Sequence, residues 1–309
     1  MMPDPHCAYR NRSWTWEGSP AQGGNIRRAL ARQRQQGCFM RVFVTGASGF
    51  VGSAVVRELL DAGHEVTGMV RSDEAAASLK ETGAEVLRGT LEDLDGLRAG
   101  AAASEGVIHT AYVHDFKDMA EAARTDLRAV ETFGEALAES GRPLLICSGT
   151  AFSPGVLATE DDPGDPSRSH MYRLASETAM TALAERGVRT SVVRLPPSVH
   201  GEGEYGFVPR LIDIARAKGV SAYPGDGTNR WAAGHRTDVA RLFRLALESA
   251  PAGTRLHAVG EEGVPVREIA EAIGRGLELP VTSVPAAETE DHFGGWATSS
   301  PSTFRHRAP

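Results

Sequence analysis

The sequence predicts an α/β fold, a doubly wound parallel sheet with helices on both faces and a smaller C-terminal lobe. Three observations carry that prediction. From Arg41 onward, short β-branched runs alternate with longer amphipathic segments. A glycine-rich turn joins the first run to the first segment. After Pro196 and Pro197 the alternation loosens into stretches punctuated by Gly and Pro.

Each element follows in order from the period of its apolar residues. "RVFVT" reads as the first strand and "FVGSAVVRELLDAG" as the helix behind it; "EVTGMV", the helical "SDEAAASLKETG" and "EVLRG" repeat the unit. "GVIHTA" is the fourth strand, followed by the helical "DMAEAARTDLRAVETFGEALAESG". The strand "PLLICSG", the helix around "ASETAMTALAERG" and the strand "RTSVVRL" complete the sheet. Three further helices follow, "FVPRLIDIARAKG", "RTDVARLFRLALESA" and "VREIAEAIGRGL". The expected organisation is therefore a nucleotide-binding domain over 40–197 and a lobe over 198–284, with the helix at 236–250 packing back on the first domain. Residues 285–309 have no periodic apolar face and are expected to form an irregular tail.

Composition narrows the function. The 309 residues are 41% hydrophobic and 24% charged, which suits a globular protein with a sizeable core. The first 39 residues carry six Arg against Asp4 and Glu17, so the formal charge of −7 becomes −11 for the remainder, which argues against nucleic acid as a partner. That Arg-, Gln- and Gly-rich segment has no apolar stretch of the kind that targets a secreted chain, and 1–39 is expected to be a disordered extension; Met40 is a candidate initiator. No run approaches the roughly 20 apolar residues that span a bilayer. Cys7, Cys38 and Cys147 form no disulfide or zinc pattern, no metal site is expected, and a reducing cytoplasm is the natural compartment.

The turn "VFVTGASGFVGSAVVRELL" is the strongest motif. Gly46 permits a tight exit from the strand, Gly49 lets backbone approach a pyrophosphate, and Gly52 allows close packing of helix on strand. The helix start offers unpaired N–H groups and the positive end of its dipole. The G-x-x-G-x-x-G spacing of "TGASGFVG" resembles the cofactor turn of the extended and atypical short-chain dehydrogenase/reductases, the NAD-dependent epimerase/dehydratase-like group with a Rossmann-type domain. "GVIHTA", "LLICSGTA", "VVRLPPSVHG" and "GDGTNRWAAGHRTDVARL" resemble later segments of that family in order, so that the likeness runs from about residue 40 to 284. It implies that Gly46, Ser48, Gly49, Phe50, Val51, Gly52, Ala111 and Pro196 contact a nicotinamide dinucleotide. The relatives continue into a final helix or strand where this chain reads as a truncated or frame-shifted end.

At the end of the second strand, where NAD-selective relatives carry an acid for the ribose hydroxyls, "HEVTGMVRSDE" has Val70, Arg71 and Ser72. A guanidinium and a hydroxyl suit a 2′-phosphate, so NADP is expected in preference to NAD. The resemblance also implies a hydroxyl residue that orients substrate, Thr150 with Ser148 beside it, and a proton-passing Tyr172. Four residues on, where the family has a lysine, stands Ser176, which can hydrogen-bond a ribose but brings no charge. A tyrosine with its ordinary pKa of about 10 is a poor acid-base group without a nearby cation. Arg173 would project about 100° from Tyr172 on a helix, which aims it elsewhere. The candidate surrogates are instead Tyr112, His114, Asp115 and Lys117, in the segment after the fourth strand.

On the substrate side lie His200, Glu202, Glu204, Tyr205, Arg230 and Trp231; His235 and Asp238 read as braces of the lobe. The expected activity is an NADP-dependent oxidoreductase acting on a carbonyl or alcohol of a small organic molecule. The alternatives are a nucleotide-sugar epimerase or dehydratase, in which the corresponding arginine contacts a diphosphate, and a non-catalytic NADP-binding sensor.

Overall fold

The computed structural model describes residues 39–114, 118–150, 157–162, 173–294 and the backbone of 305–306. In chain order the nucleotide-binding part contains β1 (Arg41–Thr45), α1 (Phe50–Asp61), β2 (Glu65–Val70), α2 (Asp73–Glu81), β3 (Glu85–Arg88), α3 (Leu94–Ala102), β4 (Gly106–His109), α4 (Met119–Leu137), β5 (Pro143–Gly149), β6 (Leu157–Ala158), α5 (Leu174–Glu185) and β7 (Arg189–Leu195). There follow β8 (Ser198–His200), α6 (Phe207–Lys218), β9 (Ser221–Pro224), β10 (Arg230–His235), α7 (Arg236–Ser249), β11 (Thr254–His257), β12 (Glu261–Pro265), α8 (Val266–Leu277), β13 (Val281–Val284) and α9 (Thr289–Phe293).

Seven strands form one sheet in the order β3-β2-β1-β4-β5-β7-β11, every pair parallel. This is the doubly wound arrangement, with β1 where the strand order reverses. Period-2 alternation divides the strands between two apolar layers. Val42, Val44, Ile108, Leu145 and Val193 pack with Val55, Val56 and Leu59 of α1 and with Val239, Phe243 and Leu247 of α7. Phe43, Val107, Leu144, Ile146 and Val192 face α3, α4 and α5 through Leu97, Phe133, Leu137, Met180 and Leu183. Helix α7 thus covers the same sheet face as α1, although it lies late in the chain, and Arg244 on α7 ties to Glu58 on α1 at 2.7 Å.

A second, three-stranded sheet (β12-β10-β8) and the pair β13-β9 carry the lobe, around a third core that includes Leu211, Trp231, Ile273 and Val284. The expectation of irregular structure beyond 285 does not hold for its first part. Thr289–Phe293 is helical, and Phe293 is buried in the third core. A single aromatic anchors the turn, a signal too short for periodicity to display. Arg305–His306 pair in parallel with β6. Residues 1–38, where the N-terminal extension was expected, lie outside the described residues. No described helix is long and apolar enough to cross a membrane.

Candidate active site

The turn after β1 is built by what its glycines exclude. Gly46 sits at φ +71°, and a Cβ there would lie 2.6 Å from the Ala111 nitrogen; a Cβ on Gly52 would lie 2.0 Å from the Gly46 carbonyl oxygen. Helix α1 therefore starts against the sheet. Its N-cap is Gly49, with no side chain capping the first turn, and among the described residues the Phe50 N–H donates only to the Tyr205 hydroxyl, at 3.4 Å. Orphan N–H groups at a helix start are the ordinary seat of a phosphate.

A cleft of about 640 Å³ opens over this turn and runs along the carboxyl ends of β2, β1, β4 and β5. Of the expected cofactor contacts, Gly46, Ser48, Gly49, Phe50, Val51, Gly52, Arg71, Ala111 and Pro196 line it, and so does Ser148. Arg71 makes no ion pair among the described residues. Ser72 lies outside the lining and is engaged as the N-cap of α2, where its Oγ accepts from Ala75 N. Thr150, just past β5, is buried at 1% exposure and is not among the lining residues, so the hydroxyl that borders the cleft here is that of Ser148, itself largely buried. Tyr172 lies outside the described residues, as do Asp115 and Lys117.

Two expectations change. Ser176 does not face the cleft; on the inner side of α5 its Oγ donates to Asp126 Oδ2 at 2.5 Å. Arg173, expected to point elsewhere, lines the cleft with 8% exposure. The helical 100° step does not apply to it, because Arg173 precedes the helix as its N-cap at φ −61°, ψ +30°. Its Nη2 meets Asp126 Oδ1 at 2.5 Å and the Ala111 carbonyl at 3.1 Å, and its Cζ stands 5.3 Å from the centre of the Tyr112 ring.

Asp126 was not foreseen and holds the buried centre of this group. His109 Nε2 lies 3.1 Å from its Oδ1, and His109 Nδ1 lies 2.6 Å from the Thr45 hydroxyl. Burial pushes the Asp126 carboxyl up, but the Arg173 charge and the bonds from His109 and Arg173 outweigh it and hold the group well below the carboxylate range. Burial pushes His109 down more than the Asp126 bond raises it, so the imidazole is neutral. A carboxylate only accepts, which places the ring proton on Nε2 and makes Nδ1 the acceptor for Thr45. Nearby, burial drives the Cys147 thiol up to about 11 despite Arg173, and it raises Tyr112 as well.

The lobe residues divide. Glu204 and Tyr205 line the cleft. Arg230 does not; it lines a separate hollow and donates to the Gly263 carbonyl at 2.8 Å. His235 caps α7 by accepting from Thr237 N, a bracing role. Among the described residues no three His, Cys, Asp or Glu side chains converge on a metal site.

Sheet order and glycine turn define a dinucleotide-binding α/β protein of the Rossmann type. The model of the NAD dependent epimerase/dehydratase family matches residues 42–259, and the chain belongs to that family. An uncharacterised protein of Schizosaccharomyces pombe is 52% identical over 82% of this chain and 86% of its own length. A 4-hydroxy-2-methyl-3-oxo-4-farnesyl-3,4-dihydroquinoline-1-oxide ketoreductase of Stigmatella aurantiaca is 28% identical over 82% of this chain and 80% of its own. The crystal structure of a dTDP-glucose 4,6-dehydratase from Streptomyces venezuelae with NAD bound superposes with a TM-score of 0.66, at 19% identity, over 82% of this chain and 91% of that one. This last likeness is one of fold. The resemblance to short-chain dehydrogenase/reductases read from the motifs is thereby upheld.

Proposed function

We propose that this protein is an NADP(H)-dependent oxidoreductase that acts on the carbonyl or alcohol of a small, uncharged organic molecule. The observation that carries the reading is that the glycine turn, Arg71 and the Ser148 hydroxyl line one cleft. A cofactor fits this cradle, because the glycines hold the turn and the start of α1 close against the sheet and α1 starts uncapped at the cleft. When bound, a nicotinamide dinucleotide supplies or accepts a hydride. The chain's own residues do the rest. The N–H groups around Gly49–Gly52 hold the pyrophosphate, Arg71 grips the 2′-phosphate through paired charge-assisted hydrogen bonds, Ser148 orients the substrate oxygen, and Tyr172 passes the proton. The buried cation Arg173 is already balanced by Asp126, which gives an anionic substrate no net attraction there.

The ketoreductase named above supports a reduction. A sugar-nucleotide reaction is less well served, since Arg230, the residue expected at a substrate diphosphate, is spent on a lobe carbonyl. The test is oxidation of NADPH and NADH by purified protein over a panel of ketones, β-keto esters and quinones, with Arg71→Glu beside the wild type. Loss of a charged hydrogen-bond pair predicts a rise of about 10- to 100-fold in the NADPH dissociation constant, with NADH changed less than threefold. Equal effects on both cofactors would refute the NADP assignment. Tight cofactor binding with no turnover on any compound would favour a sensor, and a thermal shift with UDP- or dTDP-sugars would favour the epimerase reading.

A further inference from the structure

We propose that Arg173 is the working cation at the nicotinamide end of the cleft, holding the nicotinamide ribose and the substrate oxygen in place of the lysine that Ser176 has displaced. This rests on the reading of the cleft as a dinucleotide site.

The sheet order says which end Arg173 occupies. Arg71 follows β2, one strand to one side of the pyrophosphate turn, while Cys147 and Ser148 end β5, two strands to the other side. At about 4.8 Å per strand, β2 and β5 are about 14 Å apart, a separation suited to the two ends of a dinucleotide. Arg173 stands at the β5 end, lining the cleft with Cys147 and Ser148 and lying against Tyr112.

Its mounting is unlike that of an incidental surface arginine. Asp126 lies at 0% exposure and receives Arg173, His109 and Ser176 on its two oxygens. The serine at the lysine position thus anchors the acid that anchors the arginine. The cation at this end of the cleft comes from the residue before α5, not from the helix itself. An arginine has five N–H donors. Nη2 is engaged by Asp126 and Ala111, whereas Nε, buried, meets no acceptor among the described residues. Nε is closed off from the cleft, so the donors that remain for ribose hydroxyls and a carbonyl oxygen are those of Nη1, which has no hydrogen bond to a described residue. Because the guanidinium keeps its proton and its charge is balanced by Asp126, its contribution is to donate hydrogen bonds, and never to pass a proton.

The experiment compares two probes by calorimetric titration: NADPH, and adenosine 2′,5′-bisphosphate, which has only the adenosine end. In Arg173→Met the dissociation constant for NADPH is expected to rise about tenfold or more, as for loss of a charged hydrogen-bond donor, while the bisphosphate stays within about twofold. Arg173→Lys recovers part of the loss. Since Arg173→Met leaves a buried acid unpaired and can fail to fold, Asp126→Asn/Arg173→Met is measured alongside and is expected to show the same end-selective loss. A loss shared equally by both probes, or no loss, in a folded variant overturns the proposal, because a merely structural arginine would not discriminate the ends. If the wild type binds neither probe, both this proposal and the cofactor reading fall. If it binds NADPH but reduces no carbonyl, the reductase reading falls while the end-selective loss still upholds Arg173.

Discussion

His109 and Asp126 make the interior of this protein sensitive to acid, and the sign follows from their shifts. His109 titrates lower in the folded chain than its ordinary 6.5, so the native state prefers the neutral ring. That stabilisation is complete above about pH 6.5 and is lost as the pH falls below it, when the unfolded chain gains a proton the folded one refuses. Burial lowers His114, His257 and His292 in the same direction. Asp126, depressed from 3.8, adds stability above about pH 4 that is lost in stronger acid. The melting temperature is expected to fall in two stages on acidification from pH 7.5 to 3, and His109→Gln to shrink the first stage; a single transition confined below pH 4 would contradict the assignment. At this scale the sequence was readable in position, since the glycines and Arg71 line one cleft as a strand-to-helix turn and a strand end require. It misled at Arg173, because a helical projection was applied to a residue that lies just outside the helix. Ser176 was read against a family position, and its true partner, 50 residues distant in sequence, leaves no local trace.

The elements themselves were legible from periodicity, since each strand and helix buries one face or stripe in a recognisable rhythm. One breach of rhythm was also available. In α4, Ala122, Asp126, Ala129, Val130 and Phe133 share a buried face, and an acid on an apolar stripe signals a partner brought from elsewhere. Junctions between elements separate packing from binding. A methyl on Gly52 meets the backbone oxygen of Gly46 and the Thr110 hydroxyl, whereas one on Gly49 meets only the Gly46 oxygen, at 3.2 Å. Gly52→Ala is therefore expected to push α1 off the sheet and cost about 1 to 3 kcal/mol of stability, by analogy with overpacked cores. Gly49→Ala should melt near the wild type yet bind NADPH more weakly. Thermal melts beside cofactor titrations check the pair, and identical losses in the two variants would show that the turn has no such division of labour.

For the molecule as a whole, the doubly wound class was readable because a parallel sheet demands a crossover for every strand, and the alternation advertises each one. The partner of each helix was not readable, since α1 and α7 meet across most of the chain. That separation bears on how the protein is made. The apolar stripe of α1, Val55, Val56 and Leu59, is covered by a helix whose Arg244 lies 186 residues beyond its partner Glu58. At 5 to 20 residues per second, the ribosome leaves that stripe bare for about 10 to 40 s. A nascent chain stalled at residue 235 should thus be bound by chaperones and cut rapidly by protease within α1, and one stalled after α7 has emerged should resist both. Equal protease resistance of the two would mean that another segment shelters the stripe during synthesis. The helix that covers this sheet face is translated long after the strand and helix it shelters, so β1 and α1 pass that interval as clients awaiting their cover.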